Sequence, residues 1–244
     1  MSAARGAAVA AVSLASLVGG CCGAPRRAPA RPCPAGMVSV DGRFCVDRFE
    51  ASLVDVEGGV EREHPPNTPV AGARVRAVSR ADVVPQSYVA QVEAAAACAA
   101  SDKRLCTDDE WRDACGAAFP YGDARQAGAC NDEAPVSPLT QVFGRRAPGT
   151  PYSWAELNDP RLGLVAGGVA RTGAFAGCRA SSGAMDMVGN LHEWTADPEG
   201  TFRGGFFGDA RQHGEGCAYV TVAHDAAYRD YSIGFRCCAD LPAR

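Results

Sequence analysis

Ten cysteines lie beyond residue 22 of this 244-residue chain, at positions 33, 45, 98, 106, 115, 130, 178, 217, 237 and 238. An even number of cysteines in an oxidising compartment reads as a disulfide framework, and such a framework limits the folds open to a chain more than any helix or strand propensity. No Cys-x-x-Cys occurs and no spacing matches a zinc site. Connectivity cannot be deduced from sequence, but local geometry favours Cys33 with Cys45 and Cys115 with Cys130. Adjacent residues of a strand point to opposite faces, so Cys237 and Cys238 are expected to serve different partners. Cys217 is expected to bond to one of that pair.

The oxidising compartment follows from the first residues. Arg5 precedes an apolar run, Gly6 to Val18, too short to span a bilayer as a helix, which marks residues 1–20 as a signal peptide. Val18-Gly19-Gly20-Cys21 resembles a bacterial lipobox, with Cys21 as the lipidated residue; an ordinary cleavage site nearby is the alternative. Either route exports the protein. Residues 21–32 are rich in Pro, Ala and Arg and form a semi-extended tether, leaving one domain over residues 33–240. The expected partners are therefore a membrane, through Cys21, and an unidentified protein or small-molecule ligand. A net charge of −4 with no basic stripe excludes nucleic acid.

With 28 glycines and 16 prolines, the domain is expected to be rich in turns. Asp41-Gly42 between Met37–Val40 and Arg43–Val46 predicts a hairpin. Residues 55–82, with Pro65, Pro66 and Pro69, read as an irregular loop. A helix is predicted over residues 87–100, capped by Ser87, with Val89, Val92 and Ala96 on one face. Thr107-Asp108-Asp109-Glu110 is a capping box for a second helix that buries Trp111 and Ala114 and ends before Gly116. Turns and loops follow as far as Phe175, and late strands are expected over residues 202–207 and 231–237. The acids at 108–110, 132 and 133 read as helix cap and solvated loop.

The stretch from Gly183 to Thr195 carries the clearest chemistry. Asp186 and Glu193 are hard oxygen donors seven residues apart, and the intervening chain must bend at Gly189-Asn190. A bent segment of this kind offers two carboxylates and the Gly189 and Leu191 carbonyls to one Ca²⁺. The alternative is a tight turn with one buried glutamate satisfied by backbone amides.

Asp186-Met187-Val188-Gly189-Asn190-Leu191-His192-Glu193-Trp194 resembles the D-M-x-G-N-x-x-E-W signature of the formylglycine-generating enzyme, or sulfatase-modifying factor, family. Other blocks occur in the family's order: Cys33 to Val38, Lys103 to Trp111, Pro120 to Asp123, Arg203-Gly204-Gly205 and Ile233 to Arg236. The resemblance implies an α+β, C-type-lectin-like fold with little regular structure, stabilised by Ca²⁺. The metal ligands it implies are Asp186, Gly189, Leu191 and Glu193, with Asn131 and Asp159 at a second site. His192 departs from the tryptophan usual in relatives.

The catalytic relatives are copper oxidases that convert a sulfatase cysteine to formylglycine, and they need two cysteines shortly after Arg-Gly-Gly to hold Cu(I). Here those positions hold Asp209 and Gly214, so copper is not expected and no catalytic residue is assigned. The scattered histidines 64, 192, 213 and 224 do not form the iron-binding triad of a second enzymatic branch. No G-x-S-x-G, Walker or H-E-x-x-H motif occurs either.

The expectation is a lipoprotein whose domain binds a ligand or a protein through residues 206–231. Arg211, His213, Tyr219, His224, Tyr228 and Arg229 are the candidate contacts, joined by Phe206, Phe207 and Tyr231, which read equally as core strand residues. The alternatives are a formylglycine-generating oxidase acting on exported proteins and a structural envelope component.

Overall fold

The Asp41-Gly42 turn does what its sequence demands. Both residues take left-handed φ, which closes β1 (Met37–Val40) on β2 (Phe44–Asp47) in antiparallel register. The computed structural model describes residues 32–242 apart from residue 59. The signal peptide, Cys21 and almost all of the tether lie outside the described residues.

Where a loop is expected after β2, the chain instead forms a three-stranded antiparallel sheet. It consists of β3 (Ala51–Glu57), β4 (Val60–Glu63) and β5 (Val75–Ser79), with β3 in the centre. Its prolines lie in the β4–β5 connection, where they break no ladder. The edge strand β4 is exposed throughout, which explains why its composition reads as loop. Helix α1 (Gln91–Ala99) begins four residues later than predicted. Tyr88 is left-handed, and the Ser87 hydroxyl donates to Pro66 O (3.1 Å) rather than capping the helix. Glu93 accepts from the Ala90 amide instead. The buried face is Ala94, Ala97 and Cys98, whereas Val92 is 55% exposed.

Strand β6 (Arg104–Leu105) leads into α2 (Asp108–Cys115). There the Thr107 hydroxyl accepts from Glu110 N and the Glu110 carboxylate accepts from Thr107 N, as the capping box predicts. Residues 116–175 are mainly turns, interrupted by α3 (Pro138–Phe143) and α4 (Trp154–Leu157). Then come β7 (His192–Trp194), β8 (Phe202–Arg203), β9 (Val220–Thr221), β10 (Ile233–Phe235) and β11 (Cys237–Asp240). Strand β8 stops at Arg203 because Gly204 and Gly205 turn left-handed.

Two four-stranded sheets result, ordered β1-β2-β11-β6 and β10-β7-β8-β9. The chain passes from the second to the first at one residue, Arg236, between β10 and β11. Trp111, Met187 and Val188 pack on one side of this crossing, and Leu53, Leu105, Trp194 and Phe235 on the other.

All ten cysteines are bonded. Cys33–Cys45 closes the first hairpin as expected. Cys237 and Cys238 take separate partners, Cys98 and Cys106. The other two expectations fail: Cys115 bonds to Cys217, and Cys130 to Cys178. Proximity in sequence misleads here because α2 carries Cys115 away from its own loop and against the late turn at Gly216–Ala218.

Candidate functional site

Two groups of residues emerge, one inside the domain and one at its late segment. The inner group is built on the left-handed turn at Gly189 (φ 76°) and Asn190 (φ 56°). A side chain at Gly189 would collide with the Asn131 carbonyl, so glycine is required there. The turn packs against the Asn131 backbone, which accepts from the Asn190 amide (2.7 Å).

Glu193 then points into the core, where both its oxygens are engaged. Arg236 donates from Nε (2.6 Å) and Nη2 (2.5 Å), and Trp111 from Nε1 (2.7 Å). The remaining guanidinium bonds go to the Asp47 and Met185 carbonyls. Glu50 is equally buried and accepts from Leu191 N (3.0 Å) and Asn190 Nδ2 (2.5 Å). Asp186, itself left-handed, accepts from Gly173 N (2.6 Å).

Three buried carboxylates thus share one buried guanidinium. Burial, and then the charges of Asp186 and Glu193, push Glu50 well above the usual carboxylate range. Burial pushes Asp186 up to about 6, against the pull of the Gly173 amide and Arg236. Burial opposes the charge on Arg236, but Glu193 more than offsets it and holds that pKa up.

A carboxyl with a raised folded pKa destabilises the fold when ionised and is relieved as it protonates. Between pH 6, near the folded value, and 3.8, the model-compound value, the wild type should therefore gain on Asp186→Asn as pH falls. The full difference is about 3 kcal/mol. Urea unfolding of both proteins at neutral pH and at the acid end of this window measures it. An unchanged difference would show that folding does not raise the Asp186 pKa, as expected if a cation balances its charge.

Among the described residues no three His, Cys, Asp or Glu side chains converge as metal ligands. A Ca²⁺ at this turn would depend on the Asp186 carboxylate and the Gly189 and Leu191 carbonyls, and would share Glu193 with Arg236. The residues implied at a second site have different neighbours. Asn131 Nδ2 donates to Gly168 O and Asn190 Oδ1, whereas the Asp159 carboxylate is held by Arg161 and caps its own short turn. Sequence reasoning missed Glu50, which stands 140 residues before Asn190 and carries no local signal. Arg236 lies in a recognised block, but nothing in that block shows what it faces.

The outer group surrounds His192. Phe202, Phe206 and Tyr219 stack around its ring at centroid distances of 4.8, 5.0 and 5.4 Å. His213 lies against Tyr219, and His224 against Phe202 and Tyr228. Burial, then the nearby His224 and His213, push His192 down to about 3, so the array is neutral at its centre. The Tyr219 hydroxyl donates to Asp209 and the Tyr228 hydroxyl to Asp230.

The structure therefore gathers His213, Tyr219, His224 and Tyr228 into one array. It does not bring the two arginines there: Arg211 pairs with Glu133 (2.8 Å), and Arg229 stands 3.8 Å from Glu93. Phe207 and Tyr231 are buried core residues. Asp132, expected in a solvated loop, is buried against Arg125. Trp154, 48% exposed, meets Tyr228 edge-on at 5.3 Å and extends the array to the surface.

The sheets, the short helices and the five disulfides define an α+β domain of C-type-lectin-like architecture. The chain belongs to the FGE-sulfatase family: the model for the sulfatase-modifying factor enzyme 1-like domain matches residues 40–241. No curated protein sequence matches it. Among solved structures it is similar to PvdO from Pseudomonas aeruginosa, with 15% identity over 81% of this chain and 80% of that one, and a TM-score of 0.48. For CarF the values are 16%, 82%, 87% and 0.44. For the I1 variant of Major Tropism Determinant they are 14%, 86%, 55% and 0.48, so this chain spans little more than half of that one.

Proposed function

We propose that this domain is an exported binding module of the FGE-sulfatase family that does not perform copper oxidation. The observation that carries the proposal is the pairing of all ten cysteines, Cys217 included, into disulfides. A disulfide sulfur is not a thiolate, and Cu(I) is held by soft thiolates. Asp209, at one of the two expected thiol positions, accepts from Tyr219 and from the Arg211 and Gln212 amides, which fits a loop-ordering role. The surface that would take a small-molecule or protein ligand runs from Trp154 over Tyr228 and His224. It offers aromatic faces backed by a rigid scaffold.

Disulfides on this scale accord with an oxidising, exported location. Among the described residues no helix is long and apolar enough to cross a membrane. The proposal places the membrane anchor at a lipid on Cys21. Peptide mapping of the intact exported protein, alkylated without reduction, tests both parts. We expect no label on the ten domain cysteines and a lipid-bearing Cys21. Two labelled domain cysteines with copper bound would reinstate the oxidase, and an unmodified Cys21 would remove the anchor.

A Ca²⁺ held by Asp186, Gly189, Leu191 and Glu193 belongs to the same proposal. Its support is the surplus of buried carboxylates over the single guanidinium, which a divalent ion would balance. A bound ion would reverse the pH trend given above, because acid would then compete with the metal for Asp186. The unfolding series repeated with calcium and with chelator decides this, and identical curves would remove the ion.

A further inference from the structure

We infer a second binding site, beside Met185, for a small monocarboxylate that carries an apolar group. A cavity of about 330 Å³ lies there, lined by Arg48, Arg179, Phe49, Met185, Ala81 and Ala174. Backbone pairing sets the two arginines on either side of Met185. Met185 forms an antiparallel bridge with Arg179, flanked by bonds from the Ala180 amide to Ala184 O (2.8 Å) and from the Asp186 amide to Cys178 O (2.9 Å). In such a pair the Met185 N–H points away from Arg179, and it donates to Arg48 O (2.7 Å). Two strand spacings separate the backbones of Arg48 and Arg179, about 10 Å, which two arginine side chains span. Residues opposite in an antiparallel pair share a face, so Arg179 stands with Met185 on the cavity side. Its Nη2 lies 3.8 Å from where a side chain on Gly183 would begin, and Gly183 belongs to the same wall.

Arg48 and Arg179 are exposed, and neither guanidinium has a hydrogen-bond or ion-pair partner among the described residues. Other polar groups of the wall are engaged. The Thr172 hydroxyl donates to Arg80 O (2.7 Å), and the Gly173 amide to Asp186 (2.6 Å). Asp82 also lines the cavity, and Arg171 both donates to its carbonyl (2.5 Å) and stands 3.9 Å from its carboxylate. Arg48 and Arg179 against Asp82 leave the wall with one surplus positive charge. A monoanion balances that charge, whereas a dianion would be repelled by Asp82.

The rest of the wall calls for apolar substance. A side chain at Gly173 would begin 2.9 Å from the Phe49 ring, so the ring packs this closely only on glycine. The Met185 carbonyl accepts from Arg236 (2.9 Å), which ties this wall to the rigid core. Guanidinium groups bind carboxylates in a directed, charge-assisted manner, while Phe49 and Met185 take the apolar part of the ligand. The volume lies at the low end of the range for ligand sites, about 300–1,000 Å³, which suits an acid of the size of benzoate. This site lies outside Trp154 and residues 206–231, so its failure would leave the proposed function untouched.

The test uses the intact exported protein, ¹³C-labelled at its methionine methyl groups, with Met185→Leu to assign the resonance. Benzoate should move the Met185 methyl saturably. Its affinity should be at least about tenfold above that for benzyl alcohol, which lacks the charge, and for acetate, which lacks the apolar group. Inorganic phosphate should bind more weakly than benzoate. In Arg48→Gln/Arg179→Gln, benzoate should fall to the level of benzyl alcohol while the Met37 and Met187 methyls keep their positions, the sign of an intact fold. No saturable shift, equal affinity for benzoate and either partial probe, phosphate binding as tightly as benzoate, or a folded variant that keeps its preference would each overturn the inference. Because the wild-type titrations decide the question, a variant that fails to fold does not rescue it.

Discussion

Arg236→Met is expected to destabilise the domain by about 3–5 kcal/mol, the usual cost of breaking a buried ion pair from one side. Arg236 and Glu193 are both essentially without solvent contact. Methionine keeps much of the volume but leaves the Glu193 carboxylate with only the Trp111 indole N–H. It also leaves the Asp47 and Met185 carbonyls without their guanidinium donors. Glu50 and Asp186 would lose the buried guanidinium whose charge lowers both, so these two should shift further toward their protonated forms.

Adding Glu193→Gln to the same protein removes the stranded charge and should recover part of the loss, a coupling that the double-mutant cycle reads directly. Denaturant midpoints of the four proteins make the measurement. A loss below about 1 kcal/mol for the single variant would mean that another cation neutralises the cluster, and the calcium proposal would then gain. A full loss with no recovery in the double variant would assign the damage to packing at the sheet crossing instead.

The disulfides should rank by the loops they close. Cys98–Cys237 spans 139 residues of sequence and Cys33–Cys45 only 12. Loop-closure entropy gives about 5 kcal/mol for the first and about 3 kcal/mol for the second. The paired alanine variants should therefore differ by about 2 kcal/mol in unfolding free energy, and the Cys98→Ala/Cys237→Ala protein should be the less stable. Burial adds to this ranking, because Cys98 and Cys237 both lie in the core that α1 shares with β10 and β11, and their removal leaves a void. Equal losses would indicate that the unfolded chain stays compact around its other four disulfides, which would blunt the entropy difference.

Much of the scaffold was legible from local chemistry. Asp41-Gly42 admits few turns other than a hairpin. Thr107 and Glu110 can satisfy each other only at a helix start, and Gly189-Asn190 marks a turn by its own backbone preference. In each case neighbours in sequence are the interacting partners, so the sequence contains the whole interaction. The family blocks were legible for the same reason, and they placed Asp186, Glu193 and Arg236 before any of their contacts was known.

The errors share the opposite cause. Residues 55–82 looked like loop because β4 is a polar edge strand whose pairing comes from β3, not from its own apolar pattern. Cys115 was matched to the nearest cysteine in sequence, whereas α2 delivers it to Cys217.

The sequence by itself determined an exported-type, cysteine-framed, turn-rich domain of this family, because capping, turn chemistry and motif order are local properties. Only the tertiary structure decided what those residues face. It set Glu50, Asp186 and Glu193 around Arg236, gathered the aromatic array around His192, and placed Arg48 and Arg179 on either side of Met185. Such arrangements depend on long-range packing that brings distant strands within hydrogen-bond reach, and no window of sequence contains both partners.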